Sequence, residues 1–418
     1  MIEYNPYDPE VKRDPHPRFA QLRRECPVHH HVLDDARAGR ISENPWVGEA
    51  TKEFWSVFRH ADIARIMQSP AVFSNKEGPG PERMLQISAD GMLLIADDPA
   101  HRRQRSIANK AFTPKMVQRL EPDLRKLAED LAERIRPLGK ADLVADFAAP
   151  FTIRVVARMI GVGEDRVEDF FRWGNDTINV FGADDAGIQR SFVSMMEFHE
   201  YMTSLITPRR EALARGEEIP DDVLSAMISA DSGDGWRLDD QELLMGCQQF
   251  MTAGFETAMT TMASAIHLLC THPEQRAKLE AQPDLMGAAV EEVLRFASPL
   301  EGICRTALRD TEVGGVPVPK GAKIRLMLAA AGRDEHQFDR AGEFDIGRDP
   351  AELRRHLSFG VGIHTCIGAA LARSELRIGL STLLATLPGL RLSPDEEPSR
   401  NPAFLVSGFN RLPVVWDV

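Results

Sequence analysis

The sequence predicts a mainly helical protein with a small β-rich portion. Apolar residues recur at helical spacing from about residue 100 to residue 300. The segment 239–270 continues this pattern for about 30 residues, which at about 1.5 Å per residue gives roughly 45 Å of helix. Residues 311–327 instead alternate short strand-forming runs with Gly-Gly and Pro-Lys-Gly turns. These three observations define the fold class.

The individual elements follow in chain order. An aromatic strand over Phe54–Phe58 precedes a helix from about Asp62 to Met67, and residues 76–95, rich in Gly, Pro and polar side chains, predict a mobile loop. One buried helix face is then defined by Leu120, Leu124, Leu127, Leu131 and Ile135. Asp239 and Glu242 match the pattern that caps a helix start. A last helix is expected to begin at Cys366 and run to about Leu384.

The chain has neither an internal repeat nor a linker, so we expect a single domain over residues 1–418. Its β-rich parts are expected at approximately 28–75, 305–330 and 390–418, and its helical parts at 95–300 and 366–388. With 43% hydrophobic and 27% charged residues, 418 residues can bury a core and still enclose a cofactor. The net charge of −13 disfavours binding to nucleic acid or anionic membranes.

The cysteines and the N-terminus predict a cytoplasmic protein. The five cysteines are odd in number, widely spaced and without a C-x-x-C pair, which argues against a disulfide framework or a zinc site: Cys26, Cys247, Cys270, Cys304 and Cys366. The polar, acidic start is unlike a signal peptide, and we find no run of 18 uncharged apolar residues. We therefore expect no membrane anchor. We also expect a monomer.

The strongest motif is Phe359-Gly-Val-Gly-Ile-His-Thr-Cys366-Ile-Gly368. Gly360 and Gly362 allow backbone bends that a Cβ would block. At the start of a helix, Cys366 would be favoured as a thiolate by unpaired N–H groups, and Gly368 would let the first turn lie close to a flat group. A cysteinate beneath a macrocycle is one way to hold haem iron. An isolated glycine turn with one cysteine would instead indicate a buried structural thiol.

Over ten positions this spacing resembles the cysteine-ligand loop of the cytochromes P450, the haem-thiolate monooxygenases, and the resemblance extends from about residue 50 to the C-terminus. It implies a triangular helical fold that binds haem b, with Cys366 as the axial ligand and Phe359, Gly360 and Gly368 beside the cofactor. The implied reaction inserts one atom of O₂ into a C–H bond of a mid-sized apolar molecule: a terpenoid, an aromatic or a lipid.

The long helix carries a second match, Ala253-Gly254-Phe255-Glu256-Thr257. A threonine hydroxyl can bond the carbonyl four residues back, here that of Ala253, and loosen the helix locally, where Gly254 adds room. The resemblance makes this the oxygen-activating bend, with Ala253 and Gly254 next to the haem. Thr257 and Glu256 would then supply protons. A buried threonine beside a solvated glutamate is the alternative for an arbitrary Glu-Thr pair.

Glu292 and Arg295 stand three residues apart on one helix face. Alone they predict a weak solvated pair, whereas in the family E-x-x-R is a buried structural ion pair with a third, arginine partner. Glu343-Phe344 stands here where Arg-Phe is common, so Arg340 or Arg348 could be that partner. For the haem propionates, the family's positions correspond to His101, Arg105, Arg305 and His356. His29, His30 and His31 lack ligand-like spacing and are expected in or beside a strand at the surface, and we assign them no role.

By analogy with the family, the substrate pocket is lined by loop 76–95 and by Gln249, Thr252, Ala253, Leu300, Leu405 and Val406. Gln249 and Thr252 could hydrogen-bond a substrate, or else the backbone or water. No reductase is fused to the chain, so electrons are expected from a separate ferredoxin-type donor. Residues 101–126 carry eight positive and two negative charges, a net of +6. The donor is therefore expected on a basic face that includes Arg102, Arg103, Lys110, Arg354 and Arg355.

Two other functions fit the same motifs. A peroxide-driven haem-thiolate enzyme would not need the acid–alcohol pair Glu256-Thr257. A non-catalytic haem sensor or carrier would have no reason to keep an oxygen-activating bend.

Overall fold

The computed structural model describes residues 4–6, 8–32, 47–49, 53–81, 83–84, 91–178, 185–400 and 405–418. Its helices are α1 Pro9–Arg13, α2 His16–Glu25, α3 His60–Met67, α4 Ala100–Ala111, α5 Pro114–Ile135, α6 Ala149–Ile160, α7 Val167–Ile178, α8 Asp185–Ala214, α9 Val223–Ser229, α10 Asp240–Thr271, α11 Pro273–Ala281, α12 Met286–Phe296, α13 Leu328–Ala331, α14 Pro350–Leu353 and α15 Ala369–Thr386.

Its strands are β1 Val28–Val32, β2 Val47–Glu49, β3 Glu53–Val57, β4 Phe73–Ser74, β5 Arg83–Met84, β6 Lys140–Asp142, β7 Ile303–Ala307, β8 Thr311–Val313, β9 Val316–Val318, β10 Lys323–Leu326, β11 Arg391–Leu392, β12 Ser399–Arg400, β13 Phe409–Arg411 and β14 Pro413–Val415. The main sheet has the order β1-β3-β10-β7-β4, in which only the β3–β10 pair is parallel. A smaller sheet has the order β11-β14-β6.

Helix α10 lies at the centre of the main apolar core and packs against α6, α7, α8 and α15. Two glycines allow close helix approach. A Cβ at Gly379 of α15 would lie 2.5 Å from Met262 Cε, and a Cβ at Gly254 would lie 2.9 Å from Val156 Cγ2 on α6. The cysteine loop precedes α15, so this packing fixes α10 relative to that loop.

Most predicted elements are confirmed. The aromatic strand is β3, and the first predicted helix lies within α3. In α5, Leu124, Leu131 and Ile135 are buried, whereas Leu120 and Leu127 are half-buried at the edge of that face. Helix α10 begins with the expected capping box: Asp239 accepts from Glu242 N at 2.8 Å, and Asp239 N donates to the Glu242 carboxylate at 3.0 Å.

The expected start of the last helix is wrong by three residues. Helix α15 begins at Ala369, with Gly368 as its N-cap residue, so Cys366 lies in the turn before the helix. Of the loop 76–95, residues 82 and 85–90 lie outside the described residues, and Leu93–Ile95 form a 3-10 turn. Within the described ranges, no helix is both long and apolar enough to cross a bilayer.

The three consecutive histidines form most of β1. The expected surface position is wrong for two of them, because His29 and His31 are buried and only His30 is exposed. The His31 ring stacks on Phe54 at 4.2 Å, and its Nε2 lies 2.9 Å from Ser56 Oγ. The part of the chain that the structure describes contains no His, Cys, Asp and Glu group suited to a metal ion.

Burial lowers the pKa of His31 to about 2, and nearby His29, Arg325 and His30 act in the same direction. The unfolded chain therefore binds a proton at His31 below about pH 6.5 that the folded chain does not bind. We expect the contribution of the neutral His31 ring to the free energy of unfolding to be complete above pH 6.5 and to be lost as the pH falls towards 2. In urea unfolding between pH 6.5 and 4.5, His31→Gln should reduce the pH slope of the unfolding free energy by up to about 1.4 kcal/mol per unit. An unchanged slope would contradict this assignment.

Candidate active site

The cysteine loop is held by its own backbone. Gly360 and Gly362 have φ values of +66° and +83°, which side chains rarely adopt, and a Cβ at Gly362 would lie 2.7 Å from the carbonyl oxygen of Met67. The N–H of Cys366 donates to the carbonyl of Phe359 at 2.8 Å. The two glycine bends and this hydrogen bond set the position of the cysteine.

The Cys366 side chain is exposed. Burial by surrounding protein nevertheless raises the pKa of its thiol, against the opposing effects of the Gly368 N–H, Arg105 and Arg373. An exposed side chain whose pKa is raised by surrounding protein fits a sulfur that lies in a recess within the protein and not on its outer surface. The N–H of Gly368 and two arginines are available there to stabilise a thiolate.

The loop is tied to its neighbours by two arginines. Arg105 of α4 donates to the carbonyl of Thr365 at 2.7 Å, directly before the cysteine. Arg373 of α15 lies over the Phe359 ring, 4.5 Å from its centre, and donates to Glu291 at 2.5 Å. Helices α4, α12 and α15 therefore all contribute to the position of the loop.

The expected role of His356 at the propionates is not supported by its contacts. Its Nε2 lies 3.0 Å from Glu291, the carboxylate that also binds Arg373, so this histidine belongs to the packing behind the loop. His364 was not among the residues predicted for the propionates, although it stands inside the cysteine motif, two residues before Cys366. Its ring lies 4.1 Å from that of His101.

His364 belongs to a cluster of four basic side chains, with His101, Arg105 and Arg305. Burial lowers the pKa of His364 to about 3, and the other three act in the same direction. Burial also lowers the pKa of Arg305 to about 10. Among the described residues, Nε2 of His101 and Nε2 of His364 are buried without a hydrogen-bond partner. Such a cluster is suited to binding carboxylates.

In helix α10 the Thr257 hydroxyl donates to the carbonyl of Ala253 at 2.8 Å, the backbone contact expected from the sequence. Ala253 is exposed near the middle of this otherwise largely buried helix, and Thr257 is half-buried. Glu256 is buried, unlike the solvated glutamate of the alternative interpretation. We call residues 252–254, centred on the exposed Ala253, the accessible stretch of α10. The acid and the alcohol therefore lie directly after this accessible stretch.

The contacts of three further residues of α10 bear on their expected roles. Gly254 packs against Val156, so its lack of a side chain serves helix packing. The Thr252 hydroxyl donates to the carbonyls of Gln248 and Gln249, at 3.1 and 3.2 Å. Gln249 Oε1 accepts from the N–H of Leu94 at 2.8 Å. Thr252 and Gln249 therefore bond the backbone, as the alternative interpretation of these two residues held.

The remaining residues expected at the pocket lie together. Leu300 and Val406 form an antiparallel bridge, and the N–H of Glu301 donates to the carbonyl of Leu405 at 2.9 Å.

The segment that enters α4 connects α10 with the cysteine loop. It is bonded to α10 through Leu94 and contacts the cysteine loop through His101 and Arg105. Residues 94–105 therefore span from the accessible stretch of α10 to the thiol.

The Glu292–Arg295 pair is completely buried, with 2.7 Å between Arg295 Nε and Glu292 Oε2. Arg348, also buried, approaches Glu292 Oε1 at 3.4 Å, whereas Arg340 is exposed and pairs with Glu343 and Asp345. Arg348 is therefore the third partner that the sequence left open. Arg295 also donates to the carbonyls of Gly332, Ala341 and Glu343, which lie before the cysteine loop in the chain.

The basic face is less positive than the count over residues 101–126 implied, because acidic residues outside that segment lie against it. Arg102 pairs with Asp98 at 3.0 Å, and Arg103 and Lys110 lie 3.6 and 3.7 Å from Asp234 and Asp231. Arg119 pairs with Asp221. Arg354 and Arg355 are exposed, and no carboxylate within the described ranges lies at ion-pair distance from them.

Comparisons with known proteins agree with this geometry. The family model for cytochrome P450 matches residues 45–406. Vitamin D(3) 25-hydroxylase from Pseudonocardia autotrophica is 30% identical over 96% of this chain and 94% of its own length. Steroid C26-monooxygenase from Mycobacterium tuberculosis is 34% identical over 84% and 91%, respectively.

The fold is similar to that of CYP109E1 from Bacillus megaterium, crystallised in complex with testosterone. The TM-score is 0.82 with 25% identity, and the match covers 97% of this chain and all of that one (100%). The motifs, the fold and these relatives lead to one conclusion: the chain belongs to the cytochrome P450 family, whose members are monooxygenases that bind haem b.

Proposed function

We propose that this enzyme hydroxylates a mid-sized apolar molecule of terpenoid, aromatic or lipid type, using O₂ and two electrons from a separate ferredoxin and its reductase. Leu94, Leu300 and Val406 are expected to line the pocket, and their apolar side chains favour such a substrate. The printed names of the relatives, which refer to vitamin D and steroids, point in the same direction. A cytoplasmic location is part of the proposal, because cysteines that are odd in number and widely spaced are typical of a reducing compartment.

The observation that carries the proposal is the pairing of a recessed thiol with a partly buried basic cluster. Cys366 would be the axial ligand, and His101, His364, Arg105 and Arg305 would bind the two haem carboxylates. The two orphaned histidine nitrogens fit that task. Gly368 fits as well, since a Cβ there would meet no protein atom closer than Cys366 Sγ at 3.9 Å, so protein packing alone does not require glycine. When bound, thiolate-ligated haem supplies the activation of O₂.

The chain's own contribution to the chemistry is proton supply. The Thr257 hydroxyl is held at the accessible stretch of α10 by its bond to Ala253 and can pass a proton towards that stretch. Glu256, buried one residue earlier, is the proposed proton source. Gln249 and Thr252 are left out of substrate hydrogen bonding, because both bond the backbone.

Turnover with surrogate partners tests the proposal. With ferredoxin, ferredoxin reductase and NADH, we expect substrate-dependent NADH consumption and a hydroxylated product. Product formed only with added hydrogen peroxide would favour the peroxide-driven alternative. Haem binding without product under either condition, across a library of terpenoid, aromatic and fatty compounds, would favour a sensor or carrier.

We propose that the electron donor docks beside Arg354 and Arg355, close to the cysteine loop. The double variant Arg354→Glu/Arg355→Glu should slow reduction by an acidic ferredoxin about tenfold at 0.1 M salt, because it reverses two unpaired charges. The wild-type rate should also fall at 1 M salt, where the Debye length shortens from about 10 Å to about 3 Å. Stopped-flow reduction under carbon monoxide measures both effects.

Two single variants sharpen this test. Arg103→Glu should have a smaller effect, since Asp234 already balances that charge. Lys320→Glu makes the same charge change in the exposed turn between β9 and β10 and should leave reduction unchanged. A donor rate that ignored both salt and the double reversal would place docking on another face.

A further inference from the structure

The segment Gly91–Ile95 lies along the first half of α10 and is bonded to it through one side chain. Gln249 is buried, and its Oε1 accepts from the N–H of Leu94 at 2.8 Å. On the other side, Asn75 Nδ2 donates to the carbonyl of Leu94 at 3.0 Å. Both polar backbone groups of Leu94 are therefore bonded by side-chain amides, from α10 and from the end of β4.

Further contacts hold both ends of this segment. Gly91 has φ +99° and approaches α10 so closely that a Cβ would lie 2.9 Å from Glu242 Cα. Asp97 accepts from Ser74 Oγ at 2.5 Å and from the N–H of Asn75 at 3.0 Å. The Leu94 side chain itself remains 40% exposed, although its backbone is fixed on both sides. An exposed apolar side chain thus projects from a backbone that is bonded to Gln249, which lies about one helical turn before the exposed Ala253.

We propose that Gln249 is a positioning residue for selectivity: it fixes Leu93–Ile95 as a rigid pocket wall, and Leu94 contacts the ligand. This inference rests on the proposed haem function. It assigns the polar position on α10 to holding the wall instead of hydrogen-bonding a substrate. Loss of the acceptor would leave the part-buried N–H of Leu94 without its protein partner, which favours movement of the segment away from α10 towards water.

Hydrogen exchange on the haem-loaded enzyme measures the wall directly. In Gln249→Met, which keeps the side-chain length but removes the acceptor, protection of the Leu94 amide should fall roughly 10- to 100-fold. Gln249→Glu keeps an acceptor and should restore most of the protection. Gln248→Met removes the neighbouring buried amide, which bonds His199, and should leave Leu94 unchanged.

Ligand selectivity is read with two haem-binding probes of different size. Imidazole is too small to be expected to contact the wall. In 4-phenylimidazole, the additional phenyl ring is expected to contact it. The ratio of their Kd values, from Soret titrations, should change about tenfold in Gln249→Met and in Leu94→Ala, and should return towards wild type in Gln249→Glu. Leu94→Ala should alter this ratio with little change in amide exchange, because it removes the contact and not the backbone bond.

Two outcomes would overturn the inference. One is unchanged Leu94 exchange in Gln249→Met. The other is an equal loss of 4-phenylimidazole affinity in the Met and Glu variants, which would assign Gln249 a direct ligand contact. The carbon monoxide spectrum of each variant separates this test from the parent proposal. A thiolate-type spectrum with unaltered exchange rejects the wall alone, whereas its absence in the wild type rejects the haem-thiolate function.

Discussion

Thr257→Ala is expected to keep substrate binding and NADH consumption while losing most of its product. The hydroxyl held against Ala253 is the proposed proton donor at the accessible stretch of α10, and alanine cannot replace it. General acid–base groups contribute roughly 10²- to 10⁴-fold to rates, so product formation should fall within that range. The reduced oxygen should leave as hydrogen peroxide, which is quantified together with NADH and product.

Thr261→Ala is the matched control. Its hydroxyl makes the same kind of bond, to the carbonyl of Thr257 at 2.7 Å, but it is buried one turn further along the helix. We expect its product yield per NADH to remain close to wild type. Glu256→Gln should resemble Thr257→Ala, because it removes the proposed proton source. Unchanged yields in both Thr257→Ala and Glu256→Gln would show that these residues do not control oxygen activation.

The second large effect is expected on stability. Glu292→Gln removes the charge that balances two buried arginines, Arg295 and Arg348. It also weakens the hydrogen bond, 2.8 Å long, that the N–H of Asp345 donates to the side chain at position 292. Breaking a buried ion pair from one side costs about 3–5 kcal/mol. We therefore expect poor haem retention and unfolding at markedly lower urea concentration, followed by circular dichroism and by the Soret band.

Arg340→Met provides the comparison, because it was the alternative third partner and differs in burial. The Arg340 side chain is 52% exposed in its ion pairs with Glu343 and Asp345, and surface pairs of this kind contribute about 0–1 kcal/mol. Its unfolding midpoint should stay near the wild-type value. If Arg340→Met were as destabilising as Glu292→Gln, the buried network would not be the main stabilising contact behind the cysteine loop.

Local sequence patterns predicted local structure well. The capping box of α10, the turns between β8, β9 and β10, and the glycine bends before Cys366 each depend on a few neighbouring residues. The Thr257–Ala253 bond is of the same kind, because it requires only a threonine four residues after a carbonyl. Such contacts can be read from spacing.

Apart from the start of the last helix, most differences concern contacts between distant segments. One histidine precedes the cysteine motif and another lies inside it, and spacing could not show that His356 meets Glu291 whereas His364 meets His101. The positive count over 101–126 ignored acidic residues from 221–234, which only the tertiary fold brings near. Whether Gln249 bonds a substrate or the backbone was left open, because nothing in the sequence links it to Leu94, 155 residues away.

Cys366 is the proposed thiolate ligand of a haem, and the reduced carbon monoxide complex tests this role without any substrate. The wild type should show the red-shifted Soret band peculiar to thiolate ligation. Cys366→His should move the band to the position typical of imidazole-ligated haem. Cys270→Ser, which alters a partly buried thiol near Leu390, should keep the wild-type spectrum. Retention of the thiolate band in Cys366→His would contradict the account.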